Sequence, residues 1–336
     1  MAEGSLQRTK LIIDTDGGVD DAVAIWWAAT AAEVDLLAIT TVHGNVDLGT
    51  ATDNVCRVLF ACGAPTVPVA AGCPTAIGPV PDIRPADFIH GSDGLGNTYR
   101  PKAPFAETGE HAVDLLLRIV AEQPGEIVVV PIGPLTNIAA AIDADPTWAT
   151  NVKRLVIMGG TVVSQGNALP IGEANITHDP TAADMVARAA WSTPPLLVGL
   201  DVTHLATFTA VEVAMVRAHH TAAGEFLDQP LECYSQFGGT FCAPGEFPCH
   251  DALAVMSAVL PGMVGGPVLP MAVQVMPGPA LGATVVDRRV PFFAKSAGGG
   301  GEQALPDGFA QWQIGLDVDV PAFRSQLHRL FAAPSV

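Results

Sequence analysis

A dense acidic turn near the start of the chain constrains the fold more than any other stretch. A short apolar run at 11–13 leads into four aspartates and two intervening glycines: Asp14, Asp16, Gly17, Gly18, Asp20 and Asp21. The run predicts a buried strand, and the apolar stretch 22–28 after the acids predicts a buried helix. The acids therefore lie where a strand turns into a helix, and in α/β proteins ligands bind at that edge of the sheet.

Four carboxylates this close together repel one another. At about 4 Å and an effective dielectric constant of ~20, each pair costs roughly 4 kcal/mol. A helix N-terminus offsets at most ~1–2 kcal/mol of that cost. The turn therefore predicts a bound cation or protonation of some of the acids, and an all-oxygen ligand set suits a hard ion, Ca²⁺ or Mg²⁺. The alternative is a helix N-cap with solvated acids, for which one or two aspartates suffice.

Strand and helix patterns alternate along the rest of the first two thirds of the chain. The further predicted strands are 34–42, 66–71, 126–131, 153–158 and 196–200. This alternation predicts an α/β fold with a mainly parallel sheet and crossover helices. Nearer the C-terminus, 268–276, 283–287 and 312–318 predict strands of a terminal subregion, and 321–332 predicts a closing helix.

Polar residues recur where the predicted strands end, which core packing does not require. Beyond the first turn, they are Asn45, Asn137 and Asp201. A site assembled along one edge of the sheet accounts for this pattern. A long Pro- and Gly-rich loop at 72–106 contains His90 and predicts a lid or binding loop.

Two further stretches contribute candidate site residues. A loop after the strand at 153–158 carries Asn167, Glu173 and Asn175, which by themselves are also typical loop-capping residues. His250 and Asp251 open an apolar helix. A lone histidine is more often structural than catalytic, and His43, His178 and His204 are interpreted as structural.

Composition excludes several classes of protein. The net charge is −18 with only 16 lysines and arginines, and no basic cluster is visible, so nucleic-acid binding is not expected. The six cysteines form no C-x-x-C pair, which favours reduced thiols and a cytoplasmic protein. Neither an N-terminal signal segment nor a membrane span is expected, because charge, Gly or Pro interrupts the apolar runs.

The chain is predicted to form a single domain over residues 1–336. It has 49% hydrophobic residues, no internal repeat and no convincing linker. Residues 1–9 are expected to be flexible, residues 205–250 to form a helical lid region, and 297–301 to be mobile.

Eight motifs, in order and spread over residues 11–255, resemble the inosine-uridine nucleoside hydrolase family. They are DTDGGVDDA (14–22), ITTVHGN (39–45), HGSDGLG (90–96), GPLTNIA (133–139), IMGG (157–160), GNALPIGEANITHDPTAA (166–183), GLDVTH (199–204) and HDALAV (250–255). In the first motif Gly17 stands where the family usually has proline. The resemblance implies an open, mainly parallel sheet with helices on both faces, a Rossmann-like nucleoside hydrolase fold.

The resemblance also implies an activity and a set of site residues. Members of the family cleave the N-glycosidic bond of ribonucleosides to ribose and free base, with a tightly bound Ca²⁺. Carried over by motif, the metal ligands are Asp16, Asp21, Asp251 and the backbone carbonyl of Ile132, and Asp14 supports the metal loop. Residues implied to hold the ribose are Asp20, Asn45, Asn167, Glu173 and Asn175, with Asp251 also facing the substrate.

The chemistry implied by the resemblance needs a base and an acid. A Ca²⁺-positioned water attacks through an oxocarbenium-like state, with Asp16 as the implied base. His250 is the candidate for protonating the leaving base, and His90 is a second candidate. The substrate is a small ribonucleoside, and the chain is expected to form a homo-oligomer, a dimer or a tetramer.

One position departs from the family pattern. Ala174 stands where the family usually has an aromatic residue near the sugar or base. Phe237, Phe241 or Phe247 could compensate from the region 205–250. The preferred base is therefore left open.

Two other functions remain as alternatives. A phosphohydrolase of the haloacid dehalogenase type also has Asp-x-Asp at a strand end, but it expects threonine or valine where Gly18 stands and a phosphate-pairing lysine. The second alternative is a non-catalytic ribose- or nucleoside-binding protein. Loss of Asp16 or Asp251 would indicate the latter, and both are present.

Overall fold

The computed structural model describes residues 8–84, 86–218, 221–237, 242–243, 245–289, 305 and 307–332. The strands are β1 Thr9–Thr15, β2 Val34–Thr41, β3 Val69–Ala71, β4 Val128–Pro131, β5 Arg154–Met158, β6 Leu196–Val198, β7 Thr207–Phe208, β8 Phe247–Pro248, β9 Val264–Gly265, β10 Val268–Val273, β11 Thr284–Val286, β12 Ala310–Ile314 and β13 Asp317–Val318. The mainly parallel sheet predicted from the alternating pattern is confirmed.

The helices are α1 Val19–Thr30, α2 Leu48–Ala61, α3 Asp87–His90, α4 Ala112–Glu122, α5 Thr136–Ala144, α6 Trp148–Asn151, α7 Ala174–His178, α8 Pro180–Arg188, α9 Leu200–Thr203, α10 Ala210–Ala218, α11 Ala222–Ser235, α12 His250–Val259 and α13 Val320–Ala332. Helices α1, α2 and α5 directly follow β1, β2 and β4 and connect parallel strands, as an α/β topology requires. The short helix α3 ends at His90 inside the long loop predicted at 72–106.

Within the described part of the chain, nine strands form the central sheet in the order β11-β10-β12-β6-β5-β4-β1-β2-β3. The neighbours from β3 across to β12 pair in parallel. Strand β10 pairs antiparallel with both β12 and β11, so it runs against the others. The C-terminal ends of β1, β2, β4 and β5 consequently meet at one edge of the sheet.

Alternate side chains of the strands enter two apolar layers on opposite faces of the sheet. Leu11 and Ile13 of β1 join a cluster with residues of α1, α2, α11, α12 and α13. Ile12 joins a second cluster with residues of α4, α5 and α8. This period of two is what a strand buried on both faces gives. Helices therefore cover both faces, as expected.

Three regional expectations differ from the structure. Residues 8 and 9 are described and Thr9 begins β1, where its N–H donates to the Glu33 carbonyl at 2.8 Å, so the flexible segment does not extend to residue 9. The strands of the predicted terminal subregion join the central sheet, because β12 pairs with β6. Region 205–250 is helical in α10 and α11 but also contains the antiparallel pair β7 and β8. Residues 1–7 and 297–301 lie outside the described residues.

Candidate active site

The acidic turn between β1 and α1 is closed by its own backbone and side chains. Gly18 is the N-cap of α1, and its N–H donates to Asp21 Oδ2 at 2.8 Å. The Thr15 hydroxyl donates to Asp21 Oδ1. The side chain of Asp21 is therefore held inside the turn, with both oxygens oriented by neighbouring donors.

Three aspartates converge at this turn. Asp20, Asp21 and Asp251 are buried, and one carboxylate oxygen of each lies within 4.8 Å of those of the other two. Asp251 comes from the first turn of α12, far away in sequence. Such a group of oxygen ligands could hold a metal ion. It differs from the ligand set implied by the resemblance, in which Asp16 stands in place of Asp20.

Burial makes these acids reluctant to ionise. Desolvation raises the pKa of Asp20 to about 7, and repulsion from Asp21 adds to the effect. Desolvation, followed by the charges of Asp20 and Asp21, also raises the pKa of Asp251 well above its usual value. Asp20 Oδ1 is buried without a hydrogen-bond partner, and His90 Nδ1 lies 3.9 Å from it. A nearby positive charge would stabilise the ionised forms.

Asn45, which follows the C-terminal end of the neighbouring strand β2, holds the carboxylate of Asp16. The backbone N–H of Asn45 donates to Asp16 Oδ2 at 2.8 Å, and Asn45 Nδ2 donates to Asp16 Oδ1 at 3.0 Å. Gly44 makes this possible, because a Cβ at that position would lie 2.0 Å from Asp16 Oδ2. Desolvation and then the charge of Asp21 raise the pKa of Asp16 well above its usual value.

Asp14 lies in a separate polar cluster of the sheet. Its Oδ1 accepts from the Thr40 hydroxyl at 2.5 Å and from Asn137 Nδ2 at 2.7 Å, while Oδ2 is buried without a partner. Burial raises the pKa of Asp14 to about 7. Its backbone carbonyl accepts from the Ile132 N–H at 2.8 Å. Asp14 thus connects the acidic turn with the end of β4.

A cavity of about 280 Å³ opens above the acidic turn. Nine of the predicted site residues line it: Asp20, Asn45, His90, Ile132, Asn167, Glu173, Asn175, His250 and Asp251. Asp14, Asp16 and Asp21 have no exposed surface. Asp16 adjoins the lining through Asn45, and Asp21 through Asp20 and Asp251. The structure therefore brings the predicted residues to one place, although they come from six separate stretches of the chain.

The wall formed by the 167–175 loop is fixed by hydrogen bonds. Glu173 is the N-cap of α7, where Oε1 accepts from Asn175 N and Oε2 from Ile176 N. Asn175 Nδ2 donates to the Ile132 carbonyl at 2.9 Å, and Asn167 Oδ1 accepts from the Ala174 N–H at 2.9 Å. Desolvation raises the pKa of Glu173 to about 7. These residues cap a loop and line the cavity at the same time.

Of the two candidate histidines, His90 is buried and His250 is half-buried. His90 Nδ1 accepts from the Val19 N–H at 3.1 Å, so the neutral ring carries its proton on Nε2. His250 Nδ1 lies 2.7 Å from the Thr203 hydroxyl. Burial lowers the pKa of each to about 3, and His250 is affected further by His204 and His90.

Several lining residues were not predicted from the sequence. They include Arg84, Phe88 and Tyr234, and His178, which the sequence indicates as structural, lines the cavity as well. The Tyr234 hydroxyl donates to Asp20 Oδ2 at 3.2 Å. In the sequence, Tyr234 is distinguished only by its position on the buried face of α11. That position is equally typical of a core residue.

Two of the three phenylalanines expected near Ala174 lie in the same cavity wall. Ala174 lines the cavity, and so do Phe237 and Phe247. The Phe247 ring stacks on Phe208 at 5.0 Å, so it also belongs to the core. Phe241 lies outside the described residues.

The comparison with known proteins assigns the chain to a class. A sequence model of the inosine-uridine preferring nucleoside hydrolases matches residues 11–325. The inosine-uridine preferring nucleoside hydrolase of Leishmania major is 38% identical over 285 residues, which are 84% of this chain and 88% of that protein. The probable uridine nucleosidase 1 of rice, Oryza sativa subsp. japonica, is 38% identical over 257 residues, 76% of this chain and 78% of that one.

Solved structures agree. A plant nucleoside hydrolase superimposes with a TM-score of 0.87 at 34% identity, covering 97% of this chain and 99% of that chain. A purine-preferring ribonucleoside hydrolase from Gardnerella vaginalis gives a TM-score of 0.82 at 34% identity, covering 96% and 98%.

The chain belongs to the inosine-uridine preferring nucleoside hydrolase family. It is a ribonucleoside hydrolase, and its reaction is hydrolysis of the N-glycosidic bond of ribonucleosides. Among the residues that the structure describes, no helix combines the length and hydropathy needed to cross a membrane.

Proposed function

We propose that the chain hydrolyses ribonucleosides with a Ca²⁺ ion held by Asp16, Asp21, Asp251 and the Ile132 carbonyl. The observation that carries this proposal is the buried convergence of carboxylates from α1 and α12, with one Asp20 oxygen left without a hydrogen-bond partner. All these donors are oxygens, which suits a hard cation. Their desolvation and mutual repulsion are the cost that a bound cation offsets.

When bound, Ca²⁺ would supply positive charge that orients a water molecule and the ribose hydroxyls. The chain's own residues provide the remaining functions. Asp20, Asn45, Asn167, Glu173 and Asn175 bind the ribose, and all five line the cavity. Asp14 supports the site without lining the cavity, because its backbone carbonyl accepts a hydrogen bond from the Ile132 N–H.

Asp16 acts as the general base in this proposal. Its two oxygens are fixed by Asn45, so its orientation toward the attacking water is preset. Burial raises its pKa, which makes a carboxylate a stronger base once it is ionised. A cation held beside it would keep it ionised, because an opposite charge favours the charged form.

His250 protonates the leaving base, and His90 is the second candidate for this step. Burial holds the pKa of both rings at about 3, so before reaction each can donate a hydrogen bond from a neutral ring. As the glycosidic bond breaks, negative charge develops on the base. A negative charge close to a histidine raises its pKa, which favours uptake of a solvent proton by the ring and its transfer to the base.

The first experiment measures ribose released from inosine, uridine, adenosine and cytidine. Wild type should release ribose, and Asp16→Asn should lose a factor of about 10²–10⁴ in rate, which is the usual contribution of a general base. Chelation should abolish activity and Ca²⁺ should restore it. Asp143→Asn, at an exposed aspartate of α5, is the matched control and should behave as wild type.

Metal content is read out independently of activity. Elemental analysis of the purified protein should find about one calcium per chain, lost in Asp21→Asn and Asp251→Asn. Nucleoside binding without ribose release, with calcium present, would favour the non-catalytic binding protein instead. Full activity of Asp16→Asn would refute the role of Asp16.

We also propose that residues 1–336 form one domain, since the central sheet takes strands from β1 to β12. Region 205–250 is proposed as a lid over the cavity, because Tyr234 of α11 and Phe237, just after the end of that helix, both line it. A cytoplasmic homo-oligomer, either dimer or tetramer, completes the proposal.

A further inference from the structure

An arginine and two phenylalanines form one patch on the cavity wall. The Arg84 guanidinium carbon lies 3.8 Å from the centre of the Phe88 ring. Phe88 in turn meets Phe237 edge to face, with ring centres 5.5 Å apart at 82°. All three side chains line the cavity. A cation stacked on an aromatic face is held in place by attraction to the ring.

Among the described residues that line the cavity, Arg84 is the one lysine or arginine. The other charged groups there are Asp20, Glu173 and Asp251. Among the described residues, no carboxylate lies within 4.0 Å of the Arg84 guanidinium, although several other arginines of the chain have such a partner. Its N–H groups are therefore available to a ligand.

The polarity of the cavity orients a nucleoside within it. This step rests on the proposed function. Ribose offers hydroxyls to the carboxylates and amides of the lining, among which Asp20 and Asp251 converge. The base is then directed to the patch formed by Arg84, Phe88 and Phe237, where aromatic rings meet its faces.

We propose that Arg84 selects the base by donating hydrogen bonds to a carbonyl oxygen remote from the sugar. The guanidinium has five N–H donors and no acceptor. It therefore matches O6 of hypoxanthine or O4 of uracil. Adenine and cytosine carry an amino group at the corresponding position, which would place donor against donor. A site that hydrogen-bonds one group discriminates strongly against an analogue lacking it.

The same contact strengthens during the reaction. The water oxygen bonds to C1′, and one water proton passes to Asp16. The electron pair of the C1′–N bond goes to the base nitrogen, which finally gains a proton. In the transition state, part of that negative charge is delocalised onto the remote carbonyl oxygen, where the guanidinium stabilises it. The effect of Arg84 should therefore appear in kcat/KM.

The test compares two pairs of substrates that differ at one exocyclic group: inosine with adenosine, and uridine with cytidine. In wild type, kcat/KM should favour the carbonyl member of each pair. Arg84→Met should reduce each ratio by about 10-fold or more, because it removes the hydrogen bond that the charged guanidinium donates to the carbonyl oxygen of the base. Arg84→Lys should give intermediate ratios. Arg188→Met, at an exposed arginine paired with Asp184, should retain wild-type ratios.

The ratio separates recognition from a structural defect. A loosened loop would slow all four substrates together and leave both ratios unchanged, and that result would overturn the proposal. Calorimetric dissociation constants are measured in parallel for the same pairs, with Asp16→Asn and with Asp16→Asn/Arg84→Met. If no nucleoside is hydrolysed but Arg84 still sets the binding preference, the proposed function fails and this inference stands. Equal binding ratios with and without Arg84 contradict it.

Discussion

Asp20 illustrates how one side chain can be both buried and incompletely satisfied. Its Oδ2 accepts from the Tyr234 hydroxyl, whereas Oδ1 has no hydrogen-bond partner. Burial raises its pKa to about 7, with repulsion from Asp21 as the next cause. A buried acceptor without a partner is costly, so it favours a ligand that supplies a donor or a positive charge. Tyr234 fixes which oxygen remains available.

Replacing Tyr234 by phenylalanine tests this arrangement. The variant keeps the ring, which packs edge to face on Phe247 at 5.7 Å, and removes only the hydroxyl. Hydrogen bonds to charged groups contribute roughly 1.5–3 kcal/mol, so kcat/KM for the preferred nucleoside should fall about 10- to 100-fold. Steady-state kinetics measure this, with a thermal melt to verify folding.

The control for Tyr234 is the other tyrosine of the chain. Tyr99 is 71% exposed and its hydroxyl lies 3.1 Å from Ser92 Oγ. Tyr99→Phe should leave kcat/KM unchanged. Equal losses in both variants, or none in Tyr234→Phe, would show that the hydroxyl does not position Asp20.

The turn between β2 and α2 holds the carboxylate of Asp16 from the neighbouring strand. Asn45 follows Gly44, where the chain passes so close to Asp16 that a Cβ would lie 2.0 Å from its Oδ2. Contact that short forces the turn or the carboxylate to move. The element that carries Asn45 is therefore tied to Asp16 by sterics as well as by hydrogen bonds.

Gly44→Ala should consequently displace Asp16 or Asn45 and lower kcat at least about 10²-fold, since small misplacements of catalytic groups have effects of this size. Gly49→Ala, at the second residue of α2, is the matched control. The added Cβ there would approach Asp47 Oδ1 at 3.2 Å, and alanine favours helix over glycine by ~1 kcal/mol. Its activity should equal that of wild type. A fully active Gly44→Ala would contradict the proposed role of this turn.

Local sequence patterns were sufficient to predict the elements that carry the acidic residues. The strand before Asp14, the helix after Asp21 and the helix beginning at His250 were all expected and are confirmed. In each case a continuous apolar run is bounded by polar residues, which is a local signal. That these elements meet at one edge follows from the parallel topology.

Other parts of the site depend on contacts that no local pattern encodes. Arg84 and Phe88 lie in a loop without periodicity, and Tyr234 looks like a core residue of α11. The pairing of β12 with β6 is likewise not local, because more than a hundred residues separate the two strands. The short strands β7 and β8 were not predicted, since two residues are too few for a periodic signal.

At the scale of the whole molecule, the sheet concentrates buried acids in a chain that already carries a net charge of −18. Asp16 and Asp251 have a pKa well above the usual value, and burial is the first cause for both. A carboxyl whose pKa is higher in the folded than in the unfolded state keeps its proton in the folded protein at a pH at which it is ionised in the unfolded chain. Stability from such groups is therefore present at low pH and lost as pH rises through the folded pKa.

The sign of the pH dependence gives a prediction for the metal-free protein. For Asp20 the difference between 3.8 and about 7 corresponds to roughly 4 kcal/mol. Roughly 3 kcal/mol of this falls between pH 5 and pH 8, so in chelator Tm should drop by about 4 °C over that range, given ~1.4 °C per kcal/mol from ~2.1 cal/mol/K of unfolding entropy per residue. Calorimetry at several pH values in chelator measures this.

Calcium should reverse that loss only where the acids can ionise. At pH 8, calcium should raise Tm by several degrees, because a cation that binds only the folded state stabilises it. At pH 5 the same concentration should have little effect, since protonated carboxyls are poor ligands. Sodium chloride at equal ionic strength controls for screening of the surface charge, and Asp251→Asn should show a smaller calcium effect at pH 8. A calcium effect of equal size at both pH values would contradict a site built from these buried acids.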